Sequence, residues 1–137
     1  MIKKLFLLFA FALVLSGCTG GFVGGASNAK ADALSWEKGK AVKGFPAVPV
    51  YPNARILESF GYSNQWGASY ISDKKLTDIV KFYQDSLAQL NWQGDLSKKA
   101  ETNYVFDIKN DKYTGQIIVN TAADNKKIAI TISVRAK

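Results

Sequence analysis

Apolar residues fall into three regimes along the 137-residue chain. An unbroken apolar run spans Leu5 to Leu15, a small-residue stretch follows, and from Arg55 onward short segments have regular periodicity. Leu76, Ile79, Val80, Tyr83, Leu87 and Leu90 lie within a stripe about 100° wide when each residue advances ~100°, which predicts one helix with that face on a core. Ser72 or Asp73 is placed to cap its start and Asn91 to take the left-handed conformation at its end. On the same wheel Phe82 stands about 60° outside the stripe, so partial cover is expected.

Around the helix the period changes to two. Arg55 to Tyr62 and Trp66 to Ser72 are rich in aromatic and β-branched residues and predict a hairpin through Ser63, Asn64 and Gln65. The faces of its first strand conflict, because Ile56 and Phe60 share a side with Glu58 while Leu57 lies opposite. Asn103 to Lys109, Thr114 to Thr121 and Lys127 to Arg135 predict three more strands, the last alternating most cleanly. Asn110-Asp111-Lys112 and Ala123-Asp124-Asn125 supply turn chemistry between them. The expected fold is α+β, in the order β-β-α-β-β-β: a mostly antiparallel five-stranded sheet, wet on one side, with one long helix packed across it. Trp92 to Leu96 leaves room for a short extra strand.

Pro46, Pro49 and Pro52 recur every third residue, the period of a polyproline II helix. A ligand for an aromatic groove would use that spacing. A stiff arm packed along its own domain needs nothing more, and is the reading adopted.

The start of the chain has a different logic. Lys3 and Lys4 precede the apolar run, which as a helix at ~1.5 Å per residue would cover roughly 17 Å of a hydrocarbon core roughly 30 Å thick. That is the length of a signal-peptide core, too short for an ordinary membrane span. Leu15, Ser16, Gly17 and Cys18 close the run. This tetrad resembles the lipobox of bacterial lipoproteins. The resemblance implies a thioether-linked diacylglycerol on Cys18, with Leu15, Ser16 and Gly17 as the peptidase recognition residues and cleavage before Cys18. Its chemistry requires a thiol and small residues in an extended backbone.

The implied organisation is a signal peptide at 1–17, a lipidated cysteine and flexible tether at 18–45, and a single α+β domain at 46–137. Residues 19–44 are rich in Gly, Ala, Ser and Lys. Treated as a flexible chain of about 26 residues they would span roughly 28 Å. Thr19 stands where an inner-membrane retention signal would place an aspartate, so the expected location is the outer membrane, facing the periplasm. The segment from Val50 to Arg135, with Tyr51-Pro52-Asn53, the hairpin, Phe82-Tyr83 and Asn91-Trp92, also looks like small α+β modules of bacterial lipoproteins of unassigned role. In order of elements alone it is similar to helix-grip domains of lipoproteins accessory to outer-membrane β-barrel assembly. Neither likeness carries over a functional residue.

Composition narrows the chemistry. The chain has 18 Lys and Arg, 11 Asp and Glu, one Cys and no His. Removing the leader leaves an excess of about +5, which in an exported chain meets anionic lipid, glycan or envelope protein rather than nucleic acid. Lipidation of the only cysteine precludes an intrachain disulfide, so stability must come from an apolar core. Absence of histidine and of a free thiol removes the commonest general base, nucleophile pairs and zinc ligands, and no metal or cofactor is expected. Ser-x-x-Lys occurs at Ser27, Ser35 and Ser72, but without the partner elements of an acyl-transfer site. Carboxylates fall at caps, turns and the polar helix side.

Two surface features are candidates for binding. Tyr62, Trp66 and Tyr70 on the first hairpin could form a ligand platform, or equally half of the core. Lys74, Lys75, Lys98, Lys99, Lys126 and Lys127 form pairs at element ends, which would make a basic patch if the fold gathers them and otherwise serve solubility. An exposed strand edge would offer a third route, by pairing with a partner's strand. The function expected is a lipid-anchored, non-catalytic lipoprotein whose domain binds another envelope component, with a small-ligand or glycan module as the alternative.

Overall fold

The computed structural model describes residues 33–137. Its strands are β1 (Ser35–Lys38), β2 (Arg55–Tyr62), β3 (Gln65–Ser72), β4 (Gln93–Ala100), β5 (Asn103–Lys109), β6 (Tyr113–Thr121) and β7 (Ile128–Ala136). They form one antiparallel sheet in the order β1-β2-β3-β7-β6-β5-β4, and the one α-helix among the described residues, α1 (Leu76–Ser86), lies between β3 and β4. The sheet therefore has seven strands where five were expected, and the helix is short. Both additions are edge strands: β1 from the stretch read as tether, and β4 from a segment where only a short strand had room. Each pairs on one side only, so neither needs a buried face, and neither shows the alternation that reveals a central strand.

The crossover explains the order. After the β2-β3 hairpin the chain crosses one face of the sheet as α1 and resumes at the far edge as β4. It then meanders back through β5 and β6, so that β7 pairs with β3 over eight positions from Gln65–Arg135 to Ser72–Ile128. Ile79, Val80, Tyr83 and Leu87 on the helix side meet Phe106, Ile108, Ile117, Val119, Ile130, Ile132 and Val134 from the sheet. Each such side chain contributes roughly 1.5–3 kcal/mol through burial. Tyr83 and Phe106 form the centre of this layer, with ring centroids 5.9 Å apart.

The helix begins without a side-chain cap. Lys75 occupies the N-cap position, while Ser72 Oγ accepts from the Lys74 amide at 3.2 Å, so neither Ser72 nor Asp73 serves as the cap. A 3₁₀ turn at Ala88–Leu90 follows and ends at Asn91 in the left-handed region, φ 60°. That tighter turn rotates Leu90 out of the stripe and into solvent. The proline arm packs along its own domain: Val48 is buried, Phe45 and Tyr51 lie against the core, and Tyr51 meets Phe82 edge to face at 5.2 Å.

Candidate functional site

The helix and the proline arm cover one face of the sheet, apart from a cleft of about 460 Å³ at its β4 end lined by Leu87, Trp92, Leu96 and Phe106, and the other face is open. Paired residues of an antiparallel sheet project to the same side, so register alone assigns what that open face presents. One row crosses it as Trp36, Phe60, Gly67, Ser133, Gln116 and Asp107. The neighbouring row runs Tyr62, Gln65, Arg135, Thr114 and Lys109. Each row is aromatic at the β1-β2 end and polar from β3 onward.

The aromatic end depends on a β-bulge. Ile56 pairs with Tyr70 but Glu58 pairs with Ser69, so Leu57 is an extra residue and the side-chain parity of β2 reverses there. Ile56 then faces the core with Ser59 and Gly61, while Glu58, Phe60 and Tyr62 face out. Across from them Gly67 makes room, since a Cβ there would lie 2.3 Å from Phe60 Cε1. The Phe60 ring thus covers the Gly67 backbone. Leu34, Trp36, Phe60 and Tyr62 remain 66%, 56%, 44% and 54% exposed. Leu34, Phe60, Tyr62 and Gln65 line a shallow hollow of about 320 Å³. Large apolar side chains grouped in this way at a sheet edge are unusual in a monomeric domain.

The polar end is a second shallow concavity of about 300 Å³, lined by Gln65, Asp107, Thr114, Gln116, Ser133 and Arg135. Asp107 Oδ1 accepts from Gln116 Nε2 at 2.7 Å, which orients both side chains along the groove. The groove offers hydrogen-bond donors and acceptors of both kinds on a rigid floor of three central strands. No nucleophile and base meet in it.

The structure separates the three residues considered as a platform. Tyr62 pairs with Gln65 and turns outward, whereas Trp66 pairs with Gly61 and turns toward the core, where it meets Tyr113 edge to face at 5.8 Å. Tyr70 lies on the core side and is 6% exposed, and burial raises its pKa. The exposed aromatic group is instead Tyr62 with Phe60 and Trp36. The clue available in sequence was the Phe60–Gly67 pair, which the hairpin register places opposite one another.

The lysine pairs gather only in part. Lys74 and Lys127 line one cleft of about 320 Å³ with Asn53, Arg55 and Asp73. Lys75 and Lys126 are adjacent to them in sequence, and the Lys74 ammonium lies 3.6 Å from Asp73. Lys98 and Lys99 sit on β4 at the far edge of the sheet. Lys98 pairs with Glu101 at 2.9 Å, and that hydrogen bond raises its pKa. Of the Ser-x-x-Lys matches, Ser35 and Lys38 are on an extended strand, and Ser72 is used to hold the Lys74 amide. Cys18, Leu15, Ser16 and Gly17 lie outside the described residues.

Among the described residues, no group of three or more His, Cys, Asp and Glu side chains is arranged to hold a metal ion, and no helix is long and apolar enough to cross a membrane. No protein-family model, curated protein or solved structure matches the chain.

Proposed function

We propose that this chain is a lipid-anchored, non-catalytic lipoprotein of the cell envelope, attached through Cys18 and facing the periplasm from the outer membrane, whose open sheet face binds another envelope component. The sequence supports the anchor: the basic start, the apolar run and the Leu15-Ser16-Gly17-Cys18 tetrad occur in the order that the lipoprotein resemblance requires. One structural observation carries the binding role. The helix covers the central strands of the seven-stranded sheet and leaves a cleft of about 460 Å³ beside Leu87, Trp92, Leu96 and Phe106, while the other face holds a polar groove next to exposed aromatics. Recognition is assigned to that open surface because it joins hydrogen-bonding side chains to exposed aromatic rings.

The favoured occupant of the groove is a protein segment, since a shallow and open surface suits an extended partner. A glycan is the second reading, favoured by the junction of aromatic Tyr62 with polar Gln65 and Arg135 in one row. A photo-crosslinking residue at position 116, in cells also labelled with a palmitate analogue, tests both parts. The expected result is a lipid-labelled protein that crosslinks to one envelope protein, with Cys18→Ala losing the label. Equal labelling of the Cys18→Ala variant would defeat the anchor. Crosslinks to murein fragments alone would favour the glycan.

A further inference from the structure

The apolar corner of the open face requires its own explanation, because the polar groove does not use it. We propose that Leu34, Trp36, Phe60 and Tyr62 rest on the anionic lipid surface to which the chain is tethered, fixing the orientation of the domain. This inference rests on the lipid-anchor reading above.

Position argues for lipid. Leu34 follows Cys18 by sixteen residues, so even a fully extended connection holds the corner within about 55 Å of an anchored sulfur. A weak surface interaction is then amplified by effective concentration, and no high intrinsic affinity is needed. Chemistry argues the same way. Trp and Tyr combine an apolar ring with a polar edge and concentrate at the level of lipid head groups, where Leu34 and Phe60 can enter the acyl boundary. Charge does not oppose the contact: Lys38 stands opposite Glu58 and Lys40 pairs with Glu37 at 3.2 Å, which leaves Lys43 as the net cation of β1 and its loop.

A second copy of the chain is the main competing occupant. Pairing along β1 would give it only a short ladder of four residues, and stacking of two open faces would cover the polar groove as well as the corner. Lipid contact also leaves the groove free. Adjacent strands rotate by about 20–25°, so over the three steps from β2 to β6 the open face turns by roughly 60–75°. With the corner on the membrane, the groove over β7 and β6 is inclined to it by that angle instead of lying flat against it.

The test uses the processed, lipidated protein purified from membranes and reconstituted into vesicles of phosphatidylglycerol and dibrominated phosphatidylcholine. Mass spectrometry of the N-terminal peptide is run on the same sample. Trp92 is buried and Trp66 faces the core, so bromine should quench chiefly Trp36. The expected loss is about a third of total emission, the share of one tryptophan in three. Trp36→Phe should abolish it, and so should Leu34→Ser with Phe60→Ser, which removes exposed apolar groups but keeps the reporter. A lipidated, vesicle-bound protein with unquenched Trp36 would overturn the docking while leaving the anchor intact. An unmodified Cys18 would overturn the anchor and the docking with it. An emission shift that follows protein density and ignores bromination would replace lipid by a second copy.

Discussion

The Ser59 hydroxyl, fully buried, accepts a hydrogen bond from the Val42 amide at 2.8 Å. It also donates to the Lys40 carbonyl at 2.8 Å, so one side chain of β2 satisfies two backbone groups of the loop after β1. Gly39 N–H adds a bond to the Leu57 carbonyl at the bulge. Ser59→Ala leaves both loop groups without their partner, and should destabilise the fold by about 1–3 kcal/mol. The loss should be local as well as global. Hydrogen exchange at Val42 and along β1 should accelerate more than at β6, and urea denaturation gives the total.

Two glycines of the sheet should respond very differently to the same substitution. A Cβ on Gly115 would lie 2.1 Å from the Ser133 carbonyl oxygen and 2.8 Å from Val134 Cα, both backbone atoms of the central strand β7. Gly115→Ala must displace the ladder and should cost about 3 kcal/mol. At Gly67 the obstacle is the far end of the Phe60 ring, a flexible and exposed side chain that can swing aside. Gly67→Ala should change stability by less than about 1 kcal/mol. Thermal denaturation of both variants separates the cases.

Legibility in the sequence followed pairing on both edges of a strand together with burial of one face. In β7 the alternation of Ile128, Ile130, Ile132 and Val134 was plain because central pairing and one buried face act on the same residues. The helix stripe likewise placed Ile79, Val80, Tyr83 and Leu87 in the core. β4 was obscured because Gln93–Ala100 is paired only to β5 and is largely exposed, so no apolar rhythm was imposed on it. β1 was hidden among Gly and Lys for the same reason. The site was less legible than the fold. A period of two cannot reveal an inserted residue, and the bulge at Leu57 sends Phe60 outward although its spacing from Ile56 places both on one face.

Tyr83 carries a polar atom that the core does not use. Its hydroxyl is buried with no hydrogen-bond partner of acceptable geometry among the described residues, although the Tyr51 backbone lies alongside, and burial raises its pKa well above the ordinary tyrosine value. An unpaired buried hydroxyl costs desolvation without return. Tyr83→Phe keeps the ring contacts with Phe82 and Phe106 and should be neutral or stabilising by up to about 1 kcal/mol. A clear loss of stability in chemical denaturation would show that the hydroxyl is satisfied in solution.

The turn before β7 should make stability respond to acid. Asp124 Oδ1 accepts from the Lys126 and Lys127 amides at 2.9 and 3.0 Å. These backbone bonds, the Lys126 bond first, lower its pKa below the ordinary aspartate value. A carboxyl whose pKa is depressed by folding adds stability above its unfolded value, near about pH 4, and loses it as pH falls through the lower folded value. Asp124→Ala should therefore be less stable than the parent chain at neutral pH. The gap in urea midpoint should close below about pH 4, and a gap independent of pH would assign the effect to the turn backbone alone.

Groove and corner should be separable by substitution. Ser133 is exposed on the floor of the groove, between Gly67 and Gln116 in the same row. Ser133→Trp fills the groove without entering the core, so stability should stay within about 0.5 kcal/mol of the parent. Crosslinking from position 116 should be lost, because the partner no longer reaches the floor. Quenching of Trp36 by brominated lipid should persist in that variant once emission from the added indole, measured in the Ser133→Trp, Trp36→Phe double variant, is subtracted. Trp36→Phe alone should do the reverse. If instead Ser133→Trp abolished both signals, the aromatics and the polar row would form one continuous surface for a single partner. The twist between β2 and β6 predicts two surfaces facing in different directions.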